Sequence, residues 1–249
     1  MSRYFLEVSY KGTDYSGFQI QQNANSIQAE IQKALQILQK EKIVLTGSSR
    51  TDAGVHALQN FFHFDFEKEI HPHFVYRMNA ILPADIVVQK LTPVNQQAHC
   101  RFDAISREYK YFIYRHKDPF LKDRAFYFPY KLDLRLMQDA AEVIKGYTDF
   151  TSFSKRNTQV KTFNCSIMES KWVVEENCLV FYVKADRFLR GMVRALVATM
   201  LKIGRGKMTI SEFKKIIEEE DCSKASFAAP SQGLFLLRVN YQKNFFELG

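Results

Sequence analysis

Apolar and polar residues alternate through "RYFLEVSY", placing Tyr4, Leu6, Val8 and Tyr10 on one face, and a period of two predicts a first strand. The alternation stops at "KGTDYSGFQIQQNANS", which holds Gly12, Gly17 and several polar turn formers. From Ser26, a good capping residue, the period becomes helical: Ile27, Ile31, Ala34, Leu35 and Leu38 fall on one side. "KIVL" reads as a returning strand, and "NFFHFDF" as another in which Phe62, Phe64 and Phe66 alternate. A helix around "HFVYRMNAIL" and a strand at "DIVVQKL" follow.

The alternating run "CRFDAISREYKYFIYR" predicts a long strand from near residue 100 and opens a second half. A helix in "LDLRLMQDAAEVIKG", strands in "FNCSIMESKWVV" and "CLVFYVKA", a helix from Phe188 to about Ile203 ended by Gly204, a helix in "MTISEFKKIIEEED" and a last strand "LFLLRVNY" complete it. In the Phe188 helix, Phe188, Met192, Leu196 and Met200 recur every fourth residue, while Arg187, Arg190 and Arg194 lie on another side. This stretch is too apolar for a freely exposed helix, so at least one of Arg190 and Arg194 is expected half-buried beside an anion.

The expected class is α+β: two ferredoxin-like, split βαβ lobes sharing a mostly antiparallel sheet with helices on one side. The lobes are read as residues 1–103 and 104–249; no Pro, Gly or Ser run separates them, which predicts tight joining and a cleft at the junction.

With 46% hydrophobic residues, 22 Phe and 12 Tyr, the chain has ample core material and is expected to fold throughout. Lys and Arg outnumber Asp and Glu by 35 to 27, a net charge of +8 that favours a polyanionic partner. Between Lys184 and Lys215 nine Lys and Arg face only Asp186 and Glu212. That cluster is either a solvated face or a surface for phosphates; its Arg187, Arg190 and Lys207, with Lys155 and Arg156 of "SFSKRNTQV", are the candidate contacts. The four cysteines lack CxxC spacing, which speaks for reduced cytosolic thiols over a disulfide framework or a zinc module. No apolar signal core opens the chain, and the most apolar helical run carries Arg194, so a cytoplasmic protein without a membrane span is expected. His56, His63 and the "HPH" at 71–73 lack ligand spacing, so no metal is expected, and "GRGK" at 204–207 lacks the full phosphate-cradling loop.

Between two apolar runs stands "GSSRTDAGVHALQ". Asp52, between Thr51 and Gly54 in a loop beside buried strands, is placed either as a reactive carboxylate or as an Asx-turn residue, with Arg50 able to meet the same anionic ligand. "GSSRTDAGVHA" resembles the signature of the TruA family of tRNA pseudouridine synthases, "SREYKYFIY" its tyrosine motif, and "DRFLRGMVRALVATMLKIGRGKM" its arginine helix. "VSYKGTDYSGFQIQ" and "ASFAAPSQGLFLLRVNY" also fit, so the resemblance runs in order along essentially the whole chain. It implies the pseudouridine synthase fold and a cofactor-free isomerase converting uridine to pseudouridine at tRNA positions 38, 39 and 40, working as a homodimer on tRNA. It further implies Asp52 as the essential aspartate, Tyr109 against the target base, Arg194 as the ion-pair partner of the aspartate, and Arg50 as an aid to base flipping. Two departures are Ser49, where the family commonly has glycine, and "ADRFLRG", which replaces a Gly-Asn-type turn. If residue 49 needed a positive φ, serine there would cost backbone freedom. The alternative reading is a noncatalytic tRNA-binding or tRNA-folding module, for which a carboxylate in an anion-binding cleft would be a liability.

Overall fold

The computed structural model describes residues 1–156, 158 and 160–246. The fold is α+β and divides into two compact units, one of Met1–Ile105 together with the chain from Leu236 onward, the other of Ser106–Phe235.

In the first unit, strands β1 (Ser2–Tyr10), β2 (Thr46–Gly47), β3 (His56–Phe66) and β4 (Ile86–Val94) combine with helices α1 (Ile27–Gln39) and α2 (Phe74–Ile81). β1 pairs antiparallel with both β3 and β4, and β2 adds two residues beside β3. Leu6, Val8 and Tyr10 are buried as the alternation of β1 requires, but so is Phe5 on the opposite face. The reason lies in residues 241–246: Tyr241, Phe245 and Phe246 bring their rings within 5.5–6.0 Å of Phe5, and Tyr241 meets Phe61 edge-on at 5.3 Å. Both faces of this sheet are therefore covered, and β3 reads as a nearly continuous buried run. Ser26 caps α1, its hydroxyl accepting from the Ala29 amide at 3.3 Å, and Ile27, Ile31, Ala34 and Leu35 face inward.

Two expectations here need correction. "KIVL" is not a strand: Ile43 and Leu45 are buried, but the Leu45 carbonyl takes its hydrogen bond from the Gln28 side chain at 2.9 Å instead of from a ladder. Nor does a strand begin near residue 100. Nδ1 of His99 accepts from the amides of Arg101 and Phe102, and Asp103 accepts from the His99 amide, so side chains fold residues 99–103 into a turn.

The second unit begins with β5 (Ser106–Tyr114) and the short β6 (Phe126–Tyr127), and continues through α3 (Leu134–Val143), β7 (Ile167–Glu175), β8 (Cys178–Ala185), α4 (Met192–Gly204) and α5 (Ile210–Glu218). A last strand, β9 (Leu234–Asn240), leads back to the first unit, where it follows β3 in the order β4-β1-β3-β9. β5, β8 and β7 run side by side and antiparallel; only the pair β5–β6 is parallel. Asp133 caps α3 through the amides of Arg135 and Leu136, and a capping box of Thr209 and Glu212 starts α5. α4 carries the core of this unit, with eleven of its thirteen residues buried.

The start of α4 also differs from expectation. Gly191 stands before it at φ +77°, a left-handed conformation that a helix cannot pass through, and the Arg190 carbonyl accepts from the Lys155 amide at 3.0 Å. Phe188, Arg187 and Arg190 therefore precede the helix, and Arg194 alone of the three arginines lies on it. At its other end, Gly204 is a helical residue pressed against α3, where a β-carbon would come within 2.6 Å of the Met137 sulfur. The left-handed stop is Gly206, at φ +67°, whose amide bonds back to Ile203.

Candidate active site

The segment from Gly47 to His56 is held by backbone pairing at its start and by side-chain hydrogen bonds beyond it. β2 ends at Gly47, opposite Phe62, and the Ser48 amide extends the pairing by one bond to the Phe61 carbonyl. Beyond that point the side chain of Asn60 takes over: its amide group donates to the Ser49 carbonyl at 2.8 Å and its oxygen accepts from the Ser49 amide at 3.3 Å. Thr51 is fixed twice, by its carbonyl to the Phe18 amide and by its hydroxyl to Tyr10 at 2.8 Å. Asp52 then opens a turn closed by the bond from the Val55 amide to its own carbonyl, and Gly54 supplies the positive φ of +75° that this turn uses.

The early glycines find their purpose here. Gly17, at φ +105°, approaches the backbone of residues 51–53 so closely that a β-carbon would stand 3.1 Å from the Thr51 carbonyl oxygen. Gly12 lies under Val55, where a β-carbon would overlap the carbonyl, and its amide bonds to His56. The turn-rich stretch after β1 is thus the bed on which the Asp52 loop rests. Exposure follows the same logic: Ser49 and Thr51 are buried, Arg50 is exposed and Asp52 is half-exposed. Ser49 does not have a positive φ, so the cost expected for serine at that position is absent. Its hydroxyl, like that of Ser48, is instead buried without a hydrogen-bond partner among the described residues.

In the second unit, β5 places Tyr109 and Tyr111 on one face. Tyr109 is buried and meets the edge of Phe188 at 4.9 Å. The Tyr111 hydroxyl donates to the Pro230 carbonyl at 2.7 Å, and burial holds its proton well above the usual phenol range. Arg194 donates from Nε to the neighbouring Ala229 carbonyl at 2.7 Å, so Tyr111 and Arg194 together anchor the segment before β9. Lys155 sits beside Gly191 and bonds through its amide to Arg190; Arg187 reaches Thr162 at 3.3 Å. Arg156 and Lys207 are exposed. Lys207 follows the far end of α4, about 20 Å of helix away from Arg190, so the five basic candidates do not form one cluster.

Two residues of the site escaped the sequence reading: Tyr10, counted as core, and Asn60, passed over at the head of "NFFHFDF". The available signal was a carboxamide directly before the Phe-rich stretch. Among the described residues no group of three or more His, Cys, Asp and Glu side chains is arranged to hold a metal ion, and no helix is long and apolar enough to cross a membrane. None of the four cysteines forms a disulfide.

The family model described as tRNA pseudouridine synthase matches residues 7–103 and 140–242. The chain belongs to the tRNA pseudouridine synthase family. Among curated relatives, the tRNA pseudouridine synthase A of Parabacteroides distasonis is 45% identical over 250 residues, covering 100% of this chain and 99% of the relative. That of Porphyromonas gingivalis is 43% identical, covering 99% and 100%, and that of a bovine Staphylococcus aureus strain 36%, covering 97% and 92%. As a pseudouridine synthase the protein is an isomerase of tRNA uridines: the bond from C1′ to N1 of uracil breaks, the base turns, and C1′ rejoins at C5. The C5 proton leaves and N1 regains one, so no net oxidation occurs.

Proposed function

We propose that this isomerase acts on uridines 38, 39 and 40 of the tRNA anticodon arm, with Asp52 as the carboxylate that addresses the sugar. What carries this reading is the loop itself: it matches the family signature, and its architecture holds residues 49 and 51 while presenting residues 50 and 52. An ionised carboxylate at C1′ has three uses, as a nucleophile, as a stabiliser of positive character on the sugar, or as a base toward the 2′ position. On the family pattern, Arg194 keeps the Asp52 carboxylate ionised and oriented, as an opposite charge does. Tyr109 supplies a ring for the extruded base, a contact worth about 1–3 kcal/mol, and Arg50 helps the base leave its stack. Lys155, Arg156, Arg187, Arg190 and Lys207 serve the phosphates. The reaction needs no cofactor. A cytoplasmic homodimer completes the proposal.

The test is incubation of the purified protein, without metal or nucleotide, with unmodified tRNA transcripts carrying uridine at 38, 39 or 40, followed by mapping of pseudouridine. Conversion at those positions, abolished in Asp52→Asn with tRNA binding retained, is the expected result. Conversion elsewhere overturns the assigned positions, and a fully active Asp52→Asn overturns the assigned carboxylate.

A further inference from the structure

Asn60 is fully buried in β3, between Gln59 and Phe61 and opposite Val8, and each polar atom of its side chain makes two hydrogen bonds. Its oxygen accepts from the amides of Ser49 and Phe61 at 3.3 and 2.9 Å; its nitrogen donates to the Ser49 carbonyl at 2.8 Å and to the Tyr10 hydroxyl at 3.2 Å. A buried carboxamide is costly unless satisfied, and this one is satisfied mainly by loop backbone and by one tyrosine. It acts as two more rungs of the β2–β3 ladder at the place where the backbone pairing has ended. Tyr10, at the end of β1, extends the same chain of contacts to the Thr51 hydroxyl at 2.8 Å.

The chain Asn60–Tyr10–Thr51 therefore grips residues 49 and 51 from two strands, and the residue next after the second grip is Asp52. We propose that Tyr10 and Asn60 are positioning residues for the reaction, fixing the Asp52 carboxylate through Thr51 and Ser49 without touching the substrate. The proposal rests on the reading of Asp52 as the reacting carboxylate. A loop tethered only by its turn would let that carboxylate wander, and small misplacements of a reacting group cost rate far more than they cost binding.

The experiment compares Tyr10→Phe, Thr51→Val and Thr51→Ser with the parent enzyme and with Asp52→Asn. Single-turnover pseudouridine formation, tRNA dissociation constant and melting temperature are measured for each. Tyr10→Phe and Thr51→Val keep the packing and delete one hydroxyl each; both are expected to slow the single-turnover step about tenfold or more, with tRNA affinity within about twofold of the parent. The double variant is expected to be no slower than the slower single, because both delete the same bond. Thr51→Ser, which keeps the hydroxyl, is expected to recover most of the rate lost in Thr51→Val. Parental rates in Tyr10→Phe and Thr51→Val, alongside lowered melting temperatures, would make the network structural only and overturn the proposal. A parental rate in Asp52→Asn would instead remove the reading on which it rests, so the two failures are separable. If Asn60→Asp folds, it should behave as Tyr10→Phe does, since a carboxylate cannot donate to Ser49 or Tyr10.

Discussion

The backbone amide of Gly12 donates to Nδ1 of His56 across 3.1 Å, joining the loop after β1 to the first residue of β3. Because Nδ1 accepts, the proton of the neutral ring sits on Nε2. His56→Asn retains an acceptor near Nδ1 and is expected to lose less stability than His56→Leu, which leaves the Gly12 amide unpaired. Gly12→Ala is expected to be worse than His56→Asn, since its methyl group would overlap the Val55 carbonyl and no flexible side chain is there to yield. Overpacking of this kind costs about 1–3 kcal/mol, readable as a shift of the urea midpoint.

Ser49 gives a prediction of the opposite sign. Its hydroxyl is buried and unpaired among the described residues, a burden of about 1 kcal/mol or more that alanine would lift. Ser49→Ala should therefore be as stable as the parent or more so by equilibrium unfolding. Ser49→Gly should fall below Ser49→Ala, because φ at this position is not positive and glycine only adds freedom to the unfolded chain. A glycine variant more stable than the alanine variant would show that the family's common residue relieves strain here.

Acid should weaken the first unit through His63. Burial, followed by the charges on His99 and Arg3, lowers the pKa of this imidazole from 6.5 to about 4. Between those values the unfolded chain binds a proton that the folded chain refuses, so stability rises with pH across that window. Its contribution is fully present above about pH 6.5 and is lost as pH falls toward 4. Urea midpoints measured from pH 4.5 to 7 should climb for the parent and climb less for His63→Asn. An equal slope in the two proteins would place the acid sensitivity elsewhere.

Neutralising Lys155, Arg156, Arg187 and Lys207 together is expected to weaken tRNA binding and to flatten its dependence on salt, because each lost phosphate contact removes about 0.7–0.9 from the logarithmic slope. Since Lys207 lies a helix length from the others, Lys207→Ala alone and the remaining triple variant should contribute independently. An unchanged slope in the quadruple variant would take these four side chains out of the RNA interface.

Strong periodicity and local caps were legible in the sequence: the face of α1 and its Ser26 cap, the existence of strand β3, and the apolar density of α4 all follow from residue order, whereas the expected alternation of β3 gives way to nearly continuous burial. Failures came where one bond overrode a pattern. Arg190 and Phe188 fit the helical repeat of α4, but Gly191 in a left-handed conformation cuts the repeat before it begins. "KIVL" has strand composition and loses its ladder to the Gln28 side chain. At the site, Asp52 and its neighbours stand out as a motif, whereas the supports do not. Gly12, Gly17, Tyr10 and Asn60 matter through contacts across 11–50 residues of sequence, which no helical or strand period records.

The first unit borrows its last strand, and the aromatic cover over Phe5 and Phe61, from residues beyond 235. During synthesis, residues 1–105 are made well before that strand exists. The 130 residues from 106 to 235 come between, roughly 7–26 s of translation at about 5–20 residues per second. Through that interval two phenylalanines and one side of β3 lack their covers. The release of residues 236–246 is the event that ends the exposure of Phe5 and Phe61.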